Sequence, residues 1–319
     1  MLRHYESLGL VRPTGRTDSG YREYSSANIR RIFHIESLRS LGLSLRDIGR
    51  ALDDPGFAPA ELVDDLIRQT QDRIAAETEL LTRLRRIGAA EPAGWEEVLQ
   101  TVALLQALGS KSAGTRQRAA LSAGEEVPVP VEALVEAVLS ESDPNVAGAL
   151  RWALAQSGED GLALLAEGLR SPAAGVRKRA VQSITEIPIG EATGVLVDAL
   201  TNPDIVVRRY AALALGARGV ADAIPTLIDM IVDEGNDADA ADALSALASD
   251  PALADRIATG LVDCLAPGTM GPSARRRLTQ ALADIPGIQA SRALGDLSHD
   301  EDRAVALTAT YILKLRDAR

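Results

Sequence analysis

Residues 202–215 read NPDIVVRRYAALAL, and residues 171–184 read SPAAGVRKRAVQSI. Both stretches open with a polar residue and a proline. In the first, these are followed by Val207 and Arg208, then Ala211 and then Leu215, and the second stretch has residues of the same kinds at the same offsets. Proline fits the first turn of a helix, and alanine lets neighbouring helices approach closely. Each stretch therefore predicts the turn and second helix of a helix–turn–helix unit.

This unit recurs about every 32 residues, and an amphipathic stretch such as 195–200 or 224–231 precedes each turn. The turns are predicted at seven positions: 110, 143, 171, 202, 234, 269 and 300. Such units stack into a solenoid because one helix pair alone cannot bury its apolar face. The pattern resembles HEAT repeats over residues 95–319, with an irregular helical bundle as the alternative.

The composition favours a mainly α-helical fold in a chain of 319 residues. Only 2 Phe, 5 Tyr and 2 Trp are present, too few aromatic residues for a typical β-sandwich or barrel. The single cysteine, Cys264, excludes a disulfide framework and a cysteine-rich metal centre, so we expect no metal and no cofactor. No apolar run is long enough to span a bilayer and no signal peptide is evident, which predicts a soluble, cytoplasmic protein without a membrane partner.

The formal net charge of −11 is unevenly distributed. Residues 1–50 carry 9 arginines and 5 acidic residues, a net charge of +4. The residues after 90 carry 20 basic and 32 acidic groups, a net charge of −12. Because an acidic surface repels DNA, any contact with nucleic acid must come from the N-terminal part.

Between these two parts, residues 61–87 form a predicted helix without proline and with a heptad pattern. The pattern predicts a coiled-coil dimerisation helix over residues 60–88. Its apolar contacts would be Val63, Ile67, Ile74, Leu81 and Leu84. Thr70 and Glu77 occupy the remaining core positions and weaken the pattern, so a single helix packed on its own domain is the alternative.

The first 55 residues predict a helix, a two-stranded wing and two further helices. Leu2–Leu8 is helical in character and ends at Gly9, while the polar turn 14–19 lies between Val11 and Tyr21. The next helices begin at Ser26 and after the capping residue Ser44. The polar and aromatic residues predicted to be exposed are Arg3, His4, Tyr5, Arg12, Arg16, Tyr21, Arg22, Tyr24, Arg30 and Arg31. Arginine and tyrosine of this kind suit DNA phosphates and base edges, but solvated arginines are an equal alternative from composition alone.

Three motifs carry a resemblance to a known family: LRHYESLGLVRP (2–13), GYREY (20–24) and IRRIFHIESLRSLGLSLRDIGRAL (29–52). They resemble the winged-helix DNA-binding domain of the MerR family of transcriptional regulators, here assigned to residues 1–55. The resemblance implies that Arg3, His4 and Tyr5 lie at the major groove. It also implies wing contacts from Tyr21, Arg22 and Tyr24, with Arg16 nearby.

In that family an antiparallel coiled coil follows the head, and promoter DNA is distorted so that RNA polymerase can engage it. Family members also open with a further helix and turn before the motif found here at Leu2. We therefore expect a truncated winged helix-turn-helix head, in which the first helix is missing, with a start codon assigned too far downstream as the alternative.

The leading hypothesis is a dimeric transcriptional regulator that binds double-stranded promoter DNA and is not an enzyme. Its solenoid would sense an unknown protein, peptide or small-molecule effector. The alternative is a HEAT-repeat scaffold whose vestigial head no longer binds DNA. An enzyme on a HEAT-like frame, such as a DNA glycosylase, would need a basic, aromatic-lined groove that the acidic body does not offer. The clusters 177–179 and 275–277 are interpreted as interhelical ladders with acidic residues rather than as anion sites.

Overall fold

The computed structural model describes residues 1–54, 58–90, 92–123, 130–158, 160–188, 190–266 and 270–318. The chain divides into two compact units, Met1–Leu81 and Thr82–Arg319. Eighteen α-helices and a single two-stranded sheet are found in the described residues, which confirms the predicted mainly α-helical fold. No helix in these ranges combines the length and apolar character needed to cross a membrane.

The first unit contains three short elements, two helices and most of a long helix. They are α1 (Leu2–Ser7), β1 (Gly15–Arg16), β2 (Arg22–Glu23), α2 (Ser26–Ser40), α3 (Leu45–Asp53) and α4 (Pro59–Ala89), of which α4 continues into the second unit.

The remaining helices, with two 3₁₀ turns at Ala221–Ala223 and Leu282–Asp284, belong to the second unit. They are α5 (Trp95–Leu108), α6 (Ala113–Ala123), α7 (Val131–Ser140), α8 (Pro144–Gln156), α9 (Leu162–Gly168), α10 (Ala174–Glu186), α11 (Gly190–Ala199), α12 (Ile205–Ala217), α13 (Ile224–Val232), α14 (Asp237–Leu247), α15 (Pro251–Cys264), α16 (Pro272–Ala281), α17 (Ile288–Leu297) and α18 (Arg303–Asp317).

Local signals set the helix boundaries in the head. The Ser25 side chain accepts a hydrogen bond from the backbone N–H of Asn28 at the start of α2, and Ser44 does the same for Asp47 in α3. Gly9, just after α1, adopts a left-handed φ of 72° that favours glycine. These helices enclose a small core, against which part of α4 packs: Tyr5, Leu10, Val11, Ile35, Leu43 and Ile48.

The wing is present, but its position along the chain differs from the prediction. β1 lies inside the stretch 14–19 that was predicted as a turn, and it pairs antiparallel with β2 through Arg16 opposite Arg22. The turn occupies the residues between them, where Gly20 has a φ of 82°. The reason is that Gly20, and not Gly15, supplies the left-handed residue that the wing tip needs.

After the end of α4, the described residues of the second unit form seven consecutive helix pairs, from α5/α6 to α17/α18. Six of the predicted turns fall between the two helices of a pair, and position 269 lies outside the described residues. Most of the repeated apolar and alanine positions of the second helices are buried, and Val207, Ala211, Leu215, Ala180 and Ile184 are completely buried. The helical repeat is therefore confirmed.

Small residues bring the helices of the solenoid close together. A Cβ atom added to Gly168 in α9 would lie 2.9 Å from the Cβ of Ala180 in α10. One added to Gly216 in α12 would lie 3.0 Å from the Cβ of Ala243 in α14. These distances leave no room for a side chain, so the alanine- and glycine-rich composition follows from the packing.

Helix α4 confirms the predicted long helix. The five apolar seam residues, Val63, Ile67, Ile74, Leu81 and Leu84, are 45–60% exposed. Leu62 and Leu66, on another side of the helix, pack against the core of the head. Self-association through the seam stays a prediction. The predicted division into 1–55, 60–88 and 95–319 also stays a prediction. The boundary between the two units lies within α4.

Candidate nucleic-acid interface

The head presents some of the predicted contact residues on α1 and on the wing, whereas Tyr5 is buried and Arg22 and Tyr24 are partly buried. Arg3 and His4 are exposed on α1, whereas Tyr5 is only 1% exposed. The prediction that Tyr5 is exposed is therefore wrong. Its ring faces the core, because one side of α1 must pack against α2 to bury the apolar surface of a small domain.

The Tyr5 hydroxyl joins a polar group at the edge of this core. It donates a hydrogen bond to Oε1 of Glu36 at 2.7 Å and accepts one from Nη1 of Arg39 at 2.6 Å. Burial, followed by the bond to Glu36, raises the pKa of Tyr5 above its usual value. Tyr5 therefore orients α1 on α2, and its neighbours Arg3 and His4 provide the exposed surface.

Glu6 connects the same helix to the wing. Its carboxylate accepts a hydrogen bond from Nε of Arg22 at 2.9 Å and a second, short one from the hydroxyl of Tyr24. The bond from Tyr24 is the main cause that lowers the pKa of Glu6, and the same bond raises the pKa of Tyr24. Arg22 and Tyr24 are partly buried rather than freely exposed, because this contact holds them against α1.

The outer part of the wing stays free for a ligand. Tyr21 at the tip is 74% exposed, and Arg16 on β1 is exposed as well. Across the described residues, Arg3, Arg12, Arg16 and Arg30 are exposed cations without a recorded ion pair. Arg31 is different, since it donates to the Leu10 carbonyl and pairs with Asp53 at 2.6 Å. The head thus offers a basic surface on which α1 and the wing are held together.

Several basic residues of the solenoid make internal ion pairs, as interpreted from the sequence. Arg116 pairs with Glu141 at 2.7 Å, and Arg177 pairs with Asp204 at the same distance. Arg275 pairs with Asp300 at 2.5 Å. Each ion pair joins the second helix of one repeat to the turn of the next. Asp204 also caps α12 by accepting a hydrogen bond from the N–H of Val206.

A further set of arginines bonds to backbone carbonyls between repeats. Arg179 donates to the carbonyl of Leu139, and Arg277 donates to those of Ile231 and Val232. Arg218 and Arg316, at the ends of α12 and α18, donate to the carbonyls of Ile187 and Ile285. Carbonyls at helix ends have no intrahelical partner, so these side chains satisfy groups that stacking would otherwise bury unpaired. These arginines of the solenoid are therefore structural.

Sequence reasoning missed Glu6, Glu36 and Arg39, although all three lie inside the quoted motifs. The available signal was the spacing of Tyr5 and Glu6, two polar residues adjacent on a short helix, which must face different neighbours.

A helical head with a two-stranded wing, followed by paired helices in an α-solenoid, defines a winged helix-turn-helix protein with a repeat domain. Comparison with known families agrees with this class. Residues 1–54 match the MerR HTH family of regulatory proteins. HEAT repeats match residues 101–184 and 162–248. The chain thus carries a MerR HTH domain at its N-terminus, and its C-terminal part contains HEAT repeats.

Similar proteins agree for the head. The chain is 39% identical over 84 residues to the nodulation protein NolA of Bradyrhizobium sp. strain NC92, covering 26% of this chain and 33% of NolA. It is 37% identical over 83 residues to the HTH-type transcriptional regulator SkgA of Caulobacter vibrioides, covering 26% of this chain and 31% of SkgA. The chain thus spans about a third of the length of these curated relatives. Among solved structures, Kap121p aligns with 80% of this chain and 33% of its own, at 18% identity and a TM-score of 0.43.

Proposed function

We propose that this protein is a transcriptional regulator of the MerR type that binds double-stranded promoter DNA through its head. In this proposal Arg3 and His4 on α1 face the major groove, and Tyr21 and Arg16 on the wing contact the flanking backbone. The protein acts by binding and carries out no catalysis. We place its action in the cytoplasm, where promoter DNA and RNA polymerase meet.

The observation that carries the proposal is the contact of Glu6 with Arg22 and Tyr24. It ties the helix and the wing together before DNA is present, while Arg3, Arg12, Arg16 and Arg30 of the head are exposed and have no recorded ion pair. A DNA-binding surface that is pre-organised in this way gains affinity, because little conformational freedom is lost on binding. The alternative, a scaffold with a vestigial head, is not favoured, since the named relatives that match the head include a transcriptional regulator.

The proposal includes three further partners. The exposed seam of α4 suits a homodimer, in which two heads would read two half-sites of one promoter. RNA polymerase would engage the promoter after the dimer distorts it. The HEAT repeats would bind a protein, peptide or small-molecule effector, because solenoids offer extended surfaces for such ligands.

A gel-shift titration of the full chain on its own promoter region tests the proposal. We expect binding that weakens steeply with salt, because arginine–phosphate contacts release counterions. An Arg3→Ala, Arg16→Ala double variant should bind about tenfold more weakly and show a shallower salt dependence. Arg276→Ala, an exposed arginine of α16, serves as the control and should bind like the wild type. If the wild type and the double variant bind equally at low salt, the proposed surface is wrong.

A further inference from the structure

A cavity of about 660 Å³ lies beside α12 and the end of α10. One wall is a face of α12 that carries Tyr210, Leu213 and Ala217, which are three and four positions apart and therefore share one side of the helix. Thr193 of α11, and Pro188 just before that helix, also line the cavity. Mostly apolar walls with a few polar groups, around a volume of about 300–1,000 Å³, are typical of small-molecule sites.

Arg218, the residue after the end of α12, brings a positive charge to this cavity. Nη1 of its guanidinium donates to Oγ1 of Thr193 at 2.9 Å, and Nη2 donates to the carbonyls of Thr185 and Ile187 at 3.0 and 2.8 Å. These bonds fix the guanidinium at the cavity wall. For its Nε no acceptor is recorded in the part of the chain that the structure describes.

The charge of Arg218 lacks an acidic partner. No ion pair of Arg218 is recorded among the described residues, and burial lowers its pKa. Carbonyls at the end of a helix supply only about half a negative charge, so they compensate the guanidinium in part. Glu186 also lines the cavity, but its carboxylate pairs with Nε of Arg151 at 2.6 Å. The cavity therefore has a net positive charge that a bound anion can compensate.

Two hydroxyl groups at the cavity are available as further donors. Oγ1 of Thr193 accepts a hydrogen bond from Arg218, and the hydroxyl of Tyr210 accepts one from the amide of Gln182 at 2.9 Å. Neither hydroxyl has a recorded acceptor for its own hydrogen within the described ranges. Since both oxygens are already used as acceptors, both hydrogens can bond to an oxygen of a ligand.

The repeat α17/α18 provides an internal comparison for Arg218. Arg316 has the same place in that repeat, because it also donates to a hydroxyl 25 residues earlier and to a carbonyl 31 residues earlier. Nε of Arg316 donates to the carbonyl of Ala283 at 3.2 Å. Arg316 is thus bonded to its own repeats through Nε as well, whereas Nε of Arg218 is left for another partner.

The same alignment explains the space in front of Arg218. Gly190 and Ala217 line the cavity, and their equivalents beside Arg316 are the larger Ile288 and Leu315. The walls at α12 therefore carry less side-chain volume. The fold also accepts a larger side chain at both positions, which makes them suitable for substitution.

The length of α12 between its two polar groups sets the size of a ligand. Tyr210 and Arg218 are eight residues apart, which is about 12 Å along a helix. Leu213 and Ala217 lie between them on the cavity wall. A ligand that binds at Arg218 can therefore extend an unbranched apolar chain as far as Tyr210.

We propose that this cavity binds an amphipathic carboxylate, a monocarboxylic acid with an apolar chain about 12 Å long. Its carboxylate accepts hydrogen bonds from Arg218 and Thr193, and its chain packs on Leu213 and Ala217. As the effector site of a regulator the cavity rests on the proposed function, whereas binding of the acid is measured without DNA.

Isothermal titration calorimetry of the full chain tests the charge and the length of the ligand. The probes are decanoate, decylamine with the same chain and the opposite charge, and butyrate with the same carboxylate and a short chain. We expect one decanoate per chain, bound at least tenfold more tightly than either other probe, because only decanoate satisfies both Arg218 and the apolar wall. If decanoate does not bind, or decylamine binds as tightly, the proposal is overturned.

A substitution that fills the cavity tests where the acid binds. Ala217→Leu introduces the residue that α18 already has at the equivalent position, so all bonds of Arg218 and the fold should be retained. It should weaken decanoate binding at least tenfold. Ala174→Leu, at an exposed alanine of α10 outside the cavity, is the matched control and should bind like the wild type. Equal binding by these two variants would show that the acid binds elsewhere.

Removal of the cation tests its role with a control of equal structural cost. Arg218→Met should weaken decanoate binding at least tenfold and abolish the preference over decylamine. Arg316→Met removes the equivalent arginine of α18 and should leave decanoate binding unchanged. If both variants bind decanoate like the wild type, Arg218 does not hold a carboxylate. A chain that binds decanoate in this way but no DNA would contradict the proposed function and support the cavity as a binding site.

Discussion

Arg116 of α6 donates two hydrogen bonds to the carboxylate of Glu141, from Nε at 2.7 Å and from Nη2 at 3.0 Å. Glu141 is only 7% exposed and also accepts the backbone N–H groups of Ser142 and Asp143. One carboxylate therefore holds the turn of the second repeat and links it to the first. Removing either partner leaves the other buried without its counter-charge.

Arg116→Ala should lower the free energy of unfolding by about 3 kcal/mol at pH 7, because Glu141 loses its counter-charge in a buried site. Urea denaturation followed by circular dichroism measures the change. The side chain of Arg118, on the same helix, donates to the carbonyl of Gly114, one turn earlier. Arg118→Ala should therefore lower the free energy of unfolding by less than about 1 kcal/mol. Equal losses for the two variants would contradict a special role for the ion pair.

The same pair predicts how stability depends on pH. The bond from Arg116 holds the pKa of Glu141 below its ordinary value of 4.5, and the bond from Arg275 does the same for Asp300. The unfolded chain thus takes up protons first, so this stabilisation is fully present above about pH 4.5 and is lost as the pH falls through the folded values. Urea midpoints between pH 7 and pH 3 should fall less steeply for Glu141→Gln than for the wild type.

Two glycines test the close packing of the repeats. Gly168→Ala should destabilise the protein by about 1–3 kcal/mol, because the new methyl group would overlap with Ala180. Gly194→Ala is the matched control in α11, where an added Cβ meets no atom within 4 Å. It should stabilise the protein by about 0.5–1 kcal/mol. If both variants shift the denaturation midpoint in the same direction relative to the wild type, this account is refuted.

Substitution of Glu6 tests whether the orientation of the wing or the net charge of the head determines DNA affinity. Glu6→Ala removes a negative charge near the DNA surface and also frees Arg22 and Tyr24. We expect DNA affinity to fall about tenfold in a gel shift, because the wing is no longer pre-organised. Glu23→Ala removes the same charge from an exposed position of β2, and it should bind as tightly as the wild type or more tightly. Tighter binding by Glu6→Ala would show that only charge matters.

The seam of α4 is tested by a charge at its centre. Ile74→Arg should weaken self-association at least tenfold, because the exposed apolar face of α4 would carry two facing cations in a dimer. Ala76→Arg, on the opposite face of the helix, is the control. Sedimentation equilibrium of the full chain measures the association. If both arginine variants associate like their parent, the seam is not the dimer contact.

Much of the architecture was predictable because its signals are local. The offsets from Asn202 to Leu215 define a turn and a helix within fourteen residues, and Ser25, Ser44 and Gly9 mark helix ends within one turn. Periodicity and capping depend only on neighbours along the chain. They indicated the helix pairs and the long helix α4, but they placed the wing turn a few residues too early.

The candidate site depended more on contacts between distant residues. Tyr5 was predicted as an exposed contact residue, and its burial follows from packing against α2, about thirty residues away. Glu6 carries no distinctive signal, and its role appears only when the wing folds back to α1. Conversely, the arginine ladders could be inferred as a type of contact, although their individual partners could not.

The sequence by itself determined the order of elements in this protein: a basic winged head, a long helix and alanine-rich helix pairs. It could do so because periodicity and charge depend only on residue types and their spacing along the chain. The tertiary structure alone decided which polar groups face each other. It joined Arg116 to Glu141 and Glu6 to Tyr24, and it left Tyr311 exposed on α18. The physical reason is that hydrogen bonds and burial depend on distance in space. When two partners are far apart in the chain, the residues next to each of them do not specify that distance.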